Sequence, residues 1–451
     1  MKHYFKIFTI CFSLLAGVCS CSDDDSNSLL PQPEPADNGY CLMFYASGGD
    51  PEHDLSIMSS ITQAAQATAD RSDLAVTCLF KSSGMGEGEA HNGIRRYKGD
   101  NGTLTQDNSC SFDADFDITD PTNLTDFIRW SAEQYPNRKY LFVFAGHGLT
   151  FIPQLDLPDS RATIWDGSKC MSSIQLAQGI RDAGIHLDAM IAHSCQQGSI
   201  EMLAEWEGLA DYLLGSPFSI PDFAYDYYSL LIDLSEGHMV EEALVRTARR
   251  TMNLWQEMHD NNHYGTVVEV TRLNDLTPLW DALRKTFDYM ESSLDGVNCT
   301  TDPPAILGET YKTGYRNALL HVMPSYTEND FFETLRADWS VDLPDFLRNA
   351  YVYSGNIELA PYVNRVQEVI DEMLVIHLQS NGLHDFTYNV YVNPTPFGTE
   401  MDLYRTCRFD QLTGWSKLFV SLFNFSAGQE KRTIMSEAGI DMPDGLDARA
   451  R

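Results

Sequence analysis

The chain has 451 residues, with 43% hydrophobic and 11% aromatic residues, so it is a folded protein long enough for two or three packed units. Acidic residues outnumber basic residues by 64 to 31, which gives a formal net charge of −33. This charge argues against nucleic acid as a partner, because a phosphate-binding face needs clustered Lys and Arg. The acids are scattered along the chain, which favours a solvated, soluble surface.

Residues 1–20 are predicted to be a lipoprotein signal peptide and not part of the fold. Lys2 and Lys6 precede an apolar run over residues 7–18 that is too short to span a bilayer comfortably. The letters VCSC, which end at Cys21, resemble the lipobox of bacterial lipoproteins, in which the cysteine carries the lipid. We therefore expect Cys21 to be lipidated and to attach the protein to a membrane.

Residues 21–38 are predicted to be a flexible acidic tether. The letters SDDD directly after Cys21 resemble the acidic export signal of surface lipoproteins in some bacteria with an outer membrane. The Ser-, Pro- and Asp-rich sequence that follows is typical of a linker. The expected location is therefore the cell envelope, as an outer-membrane lipoprotein, with surface exposure favoured over a periplasmic position.

The remaining cysteines argue against a disulfide framework and against a zinc site. They are seven in number, irregularly spaced and without a CxxC pair: Cys41, Cys78, Cys110, Cys170, Cys195, Cys299 and Cys407. His259 and His263 have helical spacing, but the Asn-Asn between them suits a loop and no third ligand is evident. We expect neither a metal nor another cofactor.

Short apolar runs alternate with amphipathic segments of helical length through the first 275 residues. Strands are predicted at 41–46, 74–80, 140–145, 187–192, 210–216 and 266–272, and helices at 54–69, 124–135 and 174–184. Alternation of this kind predicts an α/β fold with a mainly parallel sheet flanked by helices on both faces. Residues 39–300 are assigned to this domain.

Residues 301–451 have a different character and are predicted to form a C-terminal α+β region packed on the domain. Amphipathic helices are expected near 342–354 and 359–380, followed by a strand that stops at Pro394. The protein is expected to be a monomer.

Two reactive side chains follow predicted parallel strands, at the sheet edge where active sites of α/β proteins collect. His147 comes after the strand at 140–145, between Gly146 and Gly148, and Cys195 comes after the strand at 187–192. A thiol beside an imidazole can act as a nucleophile, since the imidazole takes the thiol proton and later protonates the leaving amine. A polar histidine satisfied by a neighbour and a core thiol remain the alternatives on pattern alone.

Backbone amides near these residues complete the predicted site. The N–H groups of Gly148 and Cys195 are expected to form an oxyanion hole. A helix is expected to start near Gln197, and its positive end would lower the pKa of the Cys195 thiol.

The ordered motifs "FVFAGHG" and "SCQQGSIEMLAEW" resemble the clostripain family of cysteine peptidases, within the wider caspase-like group. The likeness extends from "CLMFYASGGDPEHDLS" to "GWSKLF", and includes a Glu on the helix after the cysteine, here Glu201. The resemblance implies a caspase-like fold, a peptide or protein substrate, His147 as general acid/base and Cys195 as nucleophile. It also implies that Gly148 belongs to the oxyanion hole.

The predicted specificity pocket departs from that family. Clostripain-like enzymes carry an Asp two residues before the cysteine, where this chain has His193, and another acid after Ser216, where it has Pro217 and Phe218. Without a carboxylate the pocket would not hold a basic side chain, so selection of Arg or Lys is not expected, nor is maturation at Arg161.

His193 itself has two interpretations, a second acid/base or a cap on the strand end. The rim of the site also differs from the family at residues 149–151, Leu-Thr-Phe.

Three functions fit these observations. The first is a surface or periplasmic lipoprotein cysteine endopeptidase, favoured because both His147 and Cys195 are retained. The second is a catalytically inactive caspase-like lipoprotein that binds a peptide or a glycan. The third is a thiol esterase or amidase that uses the same two residues on small substrates.

Overall fold

Alternating helices and strands make up the part of the chain that the computed structural model describes. The described residues are 39–113, 115–148, 151, 163–167, 169–223, 225–259, 267–295, 304–322, 340–380, 388–391 and 399–423. The predicted signal peptide, the tether with Cys21, the boundary at residue 300, and Arg161 lie outside them.

The strands and helices have the following bounds. The strands are β1 (Tyr40–Ser47), β2 (Leu74–Lys81), β3 (Ile94–Asp100), β4 (Thr103–Gln106), β5 (Lys139–Ala145), β6 (Ile164–Asp166), β7 (Lys169–Met171), β8 (Leu187–His193), β9 (Ala210–Gly215), β10 (Val267–Arg272), β11 (Ser340–Asp342), β12 (Leu374–Gln379) and β13 (Asn389–Tyr391). The helices are α1 (Pro51–Gln66), α2 (Pro121–Gln134), α3 (Ser173–Ala183), α4 (Ile200–Trp206), α5 (Tyr227–Ser235), α6 (Val240–His259), α7 (Thr277–Leu294), α8 (Pro304–Val322), α9 (Leu343–Ser354), α10 (Ala360–Met373), α11 (Thr399–Tyr404), α12 (Arg408–Thr413) and α13 (Trp415–Phe423).

Among the described residues, nine strands form one sheet in the order β12-β10-β9-β8-β5-β1-β2-β3-β4. The pairs β2-β1, β1-β5, β5-β8 and β8-β9 are parallel, and the outer pairs on both sides are antiparallel. The chain therefore runs from β1 to one side of the sheet and then returns to the other side through β5. The place where the direction changes, between β1 and β5, is where open α/β sheets bind their ligands.

Helices cover both faces of this sheet, because the central strands are apolar on both sides. Leu42 and Phe44 of β1 pack with α1, α5 and α6 on one face, while Met43 and Tyr45 pack with α2, α3 and α7 on the other. Each of these fully buried side chains contributes roughly 1.5–3 kcal/mol by leaving water. The predicted α/β fold with a mainly parallel sheet flanked on both faces is confirmed.

The C-terminal part of the chain contributes helices and the strands β11, β12 and β13 to the same compact unit. The prediction of a helix through residue 380 is wrong, since α10 ends at Met373 and the chain continues as β12, antiparallel to β10. The run Leu-Val-Ile-His-Leu favours a strand at this position, because β-branched and apolar side chains fit a half-buried strand. None of the described helices is long and apolar enough to cross a membrane.

Candidate active site

His147 and Cys195 follow adjacent parallel strands at the same level of the sheet. Ala145, the last residue of β5, pairs with His193, the last residue of β8, and the Gly146 N–H donates to the His193 carbonyl at 3.1 Å. His147 and Cys195 each lie two residues beyond this matched pair. The sheet therefore places both predicted catalytic residues just beyond the carboxyl ends of neighbouring strands.

Gly148, in the loop after β5, lies in direct contact with the loop after β8 that carries Cys195. A Cβ atom at this position would lie 2.1 Å from Ser194 Oγ and 2.5 Å from the Cys195 carbonyl oxygen, so only glycine fits without displacing one loop. The amides of Gly148 and Cys195 donate to no described residue. The oxyanion hole that these two amides are expected to form stays a prediction.

The Cys195 thiol packs against the segment that follows β9. Its Sγ lies 3.7 Å from the Ile220 carbonyl and accepts the Ile220 N–H at 3.4 Å, while the Gln196 N–H donates to Phe218 at 2.8 Å. Burial raises the pKa of Cys195, although the Ile220 and Ser219 hydrogen bonds oppose this. The thiol is therefore protonated in this arrangement.

The expected helix at Gln197 begins later than predicted. Helix α4 starts at Ile200, where the Ser199 hydroxyl caps it by accepting the Met202 N–H at 3.3 Å. The helix predicted to start near Gln197 thus starts three residues later. The expected lowering of the thiol pKa is wrong in this structure, because desolvation outweighs every favourable contact of Cys195.

His147 is held by an acid and two rings. Its Nε2 lies 2.9 Å from Asp50 Oδ2, its ring stacks on His53 with centroids 4.4 Å apart, and Trp165 meets it edge-on at 5.7 Å. Burial and the neighbouring His53 lower the pKa of His147, while Asp50 opposes that shift. His147 and Cys195 are not hydrogen-bonded to each other here, since Nε2 binds Asp50 and Sγ binds Ile220. Their pairing as a dyad remains a prediction.

His193 is enclosed and satisfied at both nitrogens. Its Nε2 lies 2.8 Å from the Asp222 carbonyl and its Nδ1 lies 3.1 Å from the Tyr227 hydroxyl. Nε2 therefore carries the proton, and Nδ1 accepts a hydrogen bond from the Tyr227 hydroxyl. Burial lowers the pKa of His193 to about 4, so the ring is neutral. These contacts support the strand-end interpretation and give His193 no role in proton transfer here.

The other predicted pocket residues lie beside the cysteine loop. Ser216, Pro217 and Phe218 are buried, the Ser216 hydroxyl accepts the Phe218 N–H at 3.0 Å, and Pro217 packs against Gly198. The structure thus brings the segment after β9 against Cys195. Whether these residues set specificity remains a prediction.

Two carboxylates in the crevice were missed in the sequence. Asp50 binds His147 from the loop after β1, and Asp222 lies with its Oδ1 3.4 Å from His53 Nδ1, which lowers the pKa of Asp222. A signal for Asp50 existed, because it follows the first predicted strand and so lies at the same sheet edge as His147. Asp222 gave no such signal, since it follows no strand end directly.

Two groups of side chains among the described residues are close enough to share a cation, and both are separate from Cys195. His186, Asp188 and Asp211 lie at the starts of β8 and β9, the opposite edge of the sheet. The second group includes Asp233, which is already paired with Arg246 and Arg250. Glu201 has a structural contact, accepting a hydrogen bond from the buried Tyr404 hydroxyl at 2.9 Å.

Comparison with known proteins agrees with this geometry. The sequence model of the clostripain family matches residues 57–384. A secreted C11 cysteine protease from Bacteroides thetaiotaomicron, solved with an irreversible peptide inhibitor, has 15% identity and a TM-score of 0.58, over 84% of this chain and 99% of that one. An inactive zymogen C11 protease from Parabacteroides distasonis has 13% identity and a TM-score of 0.55, over 85% of this chain and 99% of that one.

A second Bacteroides thetaiotaomicron structure, the secreted C11 cysteine protease iotapain, has 13% identity and a TM-score of 0.54, over 86% of this chain and 100% of that one. Comparison with curated protein sequences gives no match. The structural likenesses confirm the caspase-like fold, and the family match covers well over half of the sequence. The chain therefore belongs to the clostripain family and is a clostripain-like cysteine peptidase.

Proposed function

We propose that this peptidase is a cell-envelope lipoprotein endopeptidase in which Cys195 is the nucleophile and His147 the general acid/base. The observation that supports the dyad is the register of the sheet, which places both residues two positions beyond the pair Ala145–His193. The contact of Gly148 with the Cys195 backbone supports it further. Such an arrangement suits thiolate catalysis at one sheet edge.

In the proposed reaction, His147 takes the proton of the Cys195 thiol, and the thiolate attacks the peptide carbonyl carbon. The resulting oxyanion accepts hydrogen bonds from the amides of Gly148 and Cys195. The C–N bond then breaks as His147 gives its proton to the leaving amine. Water, deprotonated by His147, cleaves the thioester, releases the acid and restores the thiol.

The dyad requires Cys195 to exchange partners. Its thiol now contacts the Ile220 backbone, and Nε2 of His147 contacts Asp50, which leaves Nδ1 as the nitrogen for proton transfer. For the proposed proton transfer, the thiol must leave Ile220 so that Sγ can meet Nδ1. Substrate binding is the expected trigger, since catalytic hydrogen bonds often tighten only in the complex.

The proposed specificity is for neutral or acidic side chains at the cleaved bond. His193 stands where a pocket acid would be, and it is buried and neutral. Ser216, Pro217 and Phe218 add no charge. A basic side chain would lose its water without gaining an ion pair, which costs about a hundredfold in rate.

One experiment tests the dyad and the specificity together. A peptide library is profiled against the purified mature chain, the Cys195→Ala variant and a matched Cys110→Ala variant, which removes a half-buried thiol elsewhere. We expect Cys195→Ala to lose about 10³-fold or more of the activity and Cys110→Ala to keep it. Full activity of Cys195→Ala would overturn the dyad. Dominant cleavage after Arg or Lys would overturn the specificity and point to the Asp222 carboxylate.

An inactive peptide- or glycan-binding scaffold is the second candidate. It is favoured by one observation, that Cys195 and His147 each bond to another group instead of to each other. The same library distinguishes it, because the scaffold would bind peptides without cleaving them and would not react with a thiol-directed peptidyl probe.

The membrane attachment is proposed from Cys21 and the apolar run that precedes it. Bacterial lipoproteins carry several acyl chains, which together hold a protein firmly where one chain would not. We expect Cys21→Ala to move the protein from the membrane fraction to the soluble fraction of cells. Cys19→Ala is the matched control and should stay on the membrane; a membrane-bound Cys21→Ala protein would contradict the lipobox interpretation.

A further inference from the structure

We propose that Asp50 is the positioning residue of the dyad, a carboxylate that orients His147 and stabilises its protonated form. This inference rests on the proposed use of His147 and Cys195. It adds a third member, from the loop after β1, to a site whose other members follow β5 and β8.

The Asp50 carboxylate uses its two oxygens for two different tasks. Oδ1 caps helix α1 by accepting the N–H groups of Glu52 at 3.0 Å and His53 at 2.9 Å, while Oδ2 lies 2.9 Å from His147 Nε2. The first two bonds fix the carboxylate on the end of a helix. The third therefore reaches His147 from a rigid support.

Groups around the His147 ring fit this orientation closely. His53, in the first turn of α1, stacks on the ring with an angle of 13° between planes, and Trp165 meets it at 61°. A Cβ at Gly49 would lie 2.8 Å from His147 Cδ2, and the residue has φ +97°, which favours glycine. The loop before α1 is thus shaped around the imidazole.

The chemical consequence is a defined tautomer. A carboxylate accepts hydrogen bonds only, so Nε2 of neutral His147 carries the proton and Nδ1 keeps its lone pair. Nδ1 can then take the proton of the Cys195 thiol. The products are a thiolate and an imidazolium whose positive charge faces the Asp50 carboxylate.

Asp50 is needed because the other neighbours of the ring disfavour that charge. Burial and His53 both lower the pKa of His147, whereas the Asp50 carboxylate and, more weakly, the Asp222 carboxylate raise it. Removal of the Asp50 charge should therefore make the thiolate–imidazolium pair harder to form.

An exclusively structural role for Asp50, as the cap of α1, makes a different prediction. Asn caps helices about as well as Asp, so Asp50→Asn keeps the bonds to Glu52 and His53. It removes the charge and places an amide N–H donor, in place of an acceptor, opposite His147 Nε2. Asp120→Asn is the matched control, because Asp120 caps α2 by accepting the Thr122 N–H at 2.8 Å and touches no group of the site.

The experiment measures alkylation of Cys195 by iodoacetamide against pH, by mass spectrometry of the full chain. Asp50→Asn should slow the reaction about tenfold at neutral pH and move the midpoint of the profile upward, since thiolate forms less readily. Peptidase kcat should fall about tenfold or more, with KM little changed. The Cys110 profile in the same protein and the Asp120→Asn variant should both stay as in the wild type.

His147→Ala separates the two ways in which this can fail. If His147→Ala shifts the Cys195 profile while Asp50→Asn leaves it as in the wild type, the inference about Asp50 is wrong and the dyad stands. If His147→Ala also leaves the profile unchanged, Cys195 and His147 do not act together, and the proposed function is wrong.

Discussion

Two histidines at the carboxyl ends of adjacent strands have opposite environments. The side chain of His147, two residues beyond β5, is 37% exposed and has the Asp50 carboxylate 2.9 Å from Nε2. His193, the last residue of β8, is 1% exposed and bonded to a carbonyl and a hydroxyl. The Asp50 carboxylate would stabilise a protonated His147, as the proposed acid/base role requires, whereas the contacts of His193 suit its neutral form.

The comparison shows that environment, not position after a strand, decides what a histidine does. A carboxylate stabilises imidazolium, while a carbonyl on one nitrogen and a hydroxyl on the other are satisfied by the neutral ring. His193 still serves the site indirectly. It holds the Asp222 backbone, the Asp222 carboxylate contacts His53, and His53 supports the face of His147.

The largest expected effect is the difference between truncating His147 and truncating His193 to alanine. His147→Ala should reduce kcat/KM by about 10³-fold or more and change the free energy of unfolding by less than about 1 kcal/mol. His193→Ala should lower the free energy of unfolding by about 2–4 kcal/mol, because it leaves a cavity and removes the buried partner of Tyr227. Urea unfolding and peptide hydrolysis, measured on both variants, check this.

Activity per folded molecule is the informative control. After correction for the folded fraction, His193→Ala should retain about a hundredfold more peptidase activity than His147→Ala. Equal losses in the two variants would show that His193 is part of the reaction, and the contrast between the two histidines would be wrong.

The sequence was sufficient for the strands β1, β2, β5, β8, β9 and β10 and for the loops that carry His147 and Cys195, but not for β3 and β4. Apolar runs such as residues 140–145 and 187–192 are buried on both faces, so their pattern identifies parallel strands directly. Contacts between distant segments of the chain could not be predicted in this way. Asp50 contacts His147 across 97 residues; its position after β1 indicates the sheet edge, but no local pattern indicates the contact itself.

Burial was the other property that the sequence did not reveal. His193 looked like a pocket residue because it lies two positions before Cys195, yet Tyr227 of α5 and the turn at Asp222 enclose it. The strand β12 was missed for a related reason. Its run from Leu374 suits a helix as well as a strand, and the free edge of β10 decides between them.

The last expected effect is a pH dependence of the free energy of unfolding, which His193 should produce. The folded pKa of His193 is lowered from 6.5 to about 4 by burial. Below pH 6.5 the unfolded chain binds a proton at this position that the folded chain excludes. Stability is therefore full above pH 6.5 and is lost as the pH falls through about 4, with each pKa unit worth about 1.4 kcal/mol.

The matched variant is His193→Gln, whose amide can donate to the Asp222 carbonyl and accept from the Tyr227 hydroxyl without titrating. Between pH 6.5 and pH 4 the wild type should lose about 3 kcal/mol more unfolding free energy than this variant, measured by urea denaturation at each pH. Other titrating groups cancel in the difference because both proteins share them. Parallel curves would mean that His193 takes up its proton in the folded protein as readily as in the unfolded chain, and the burial argument would be wrong.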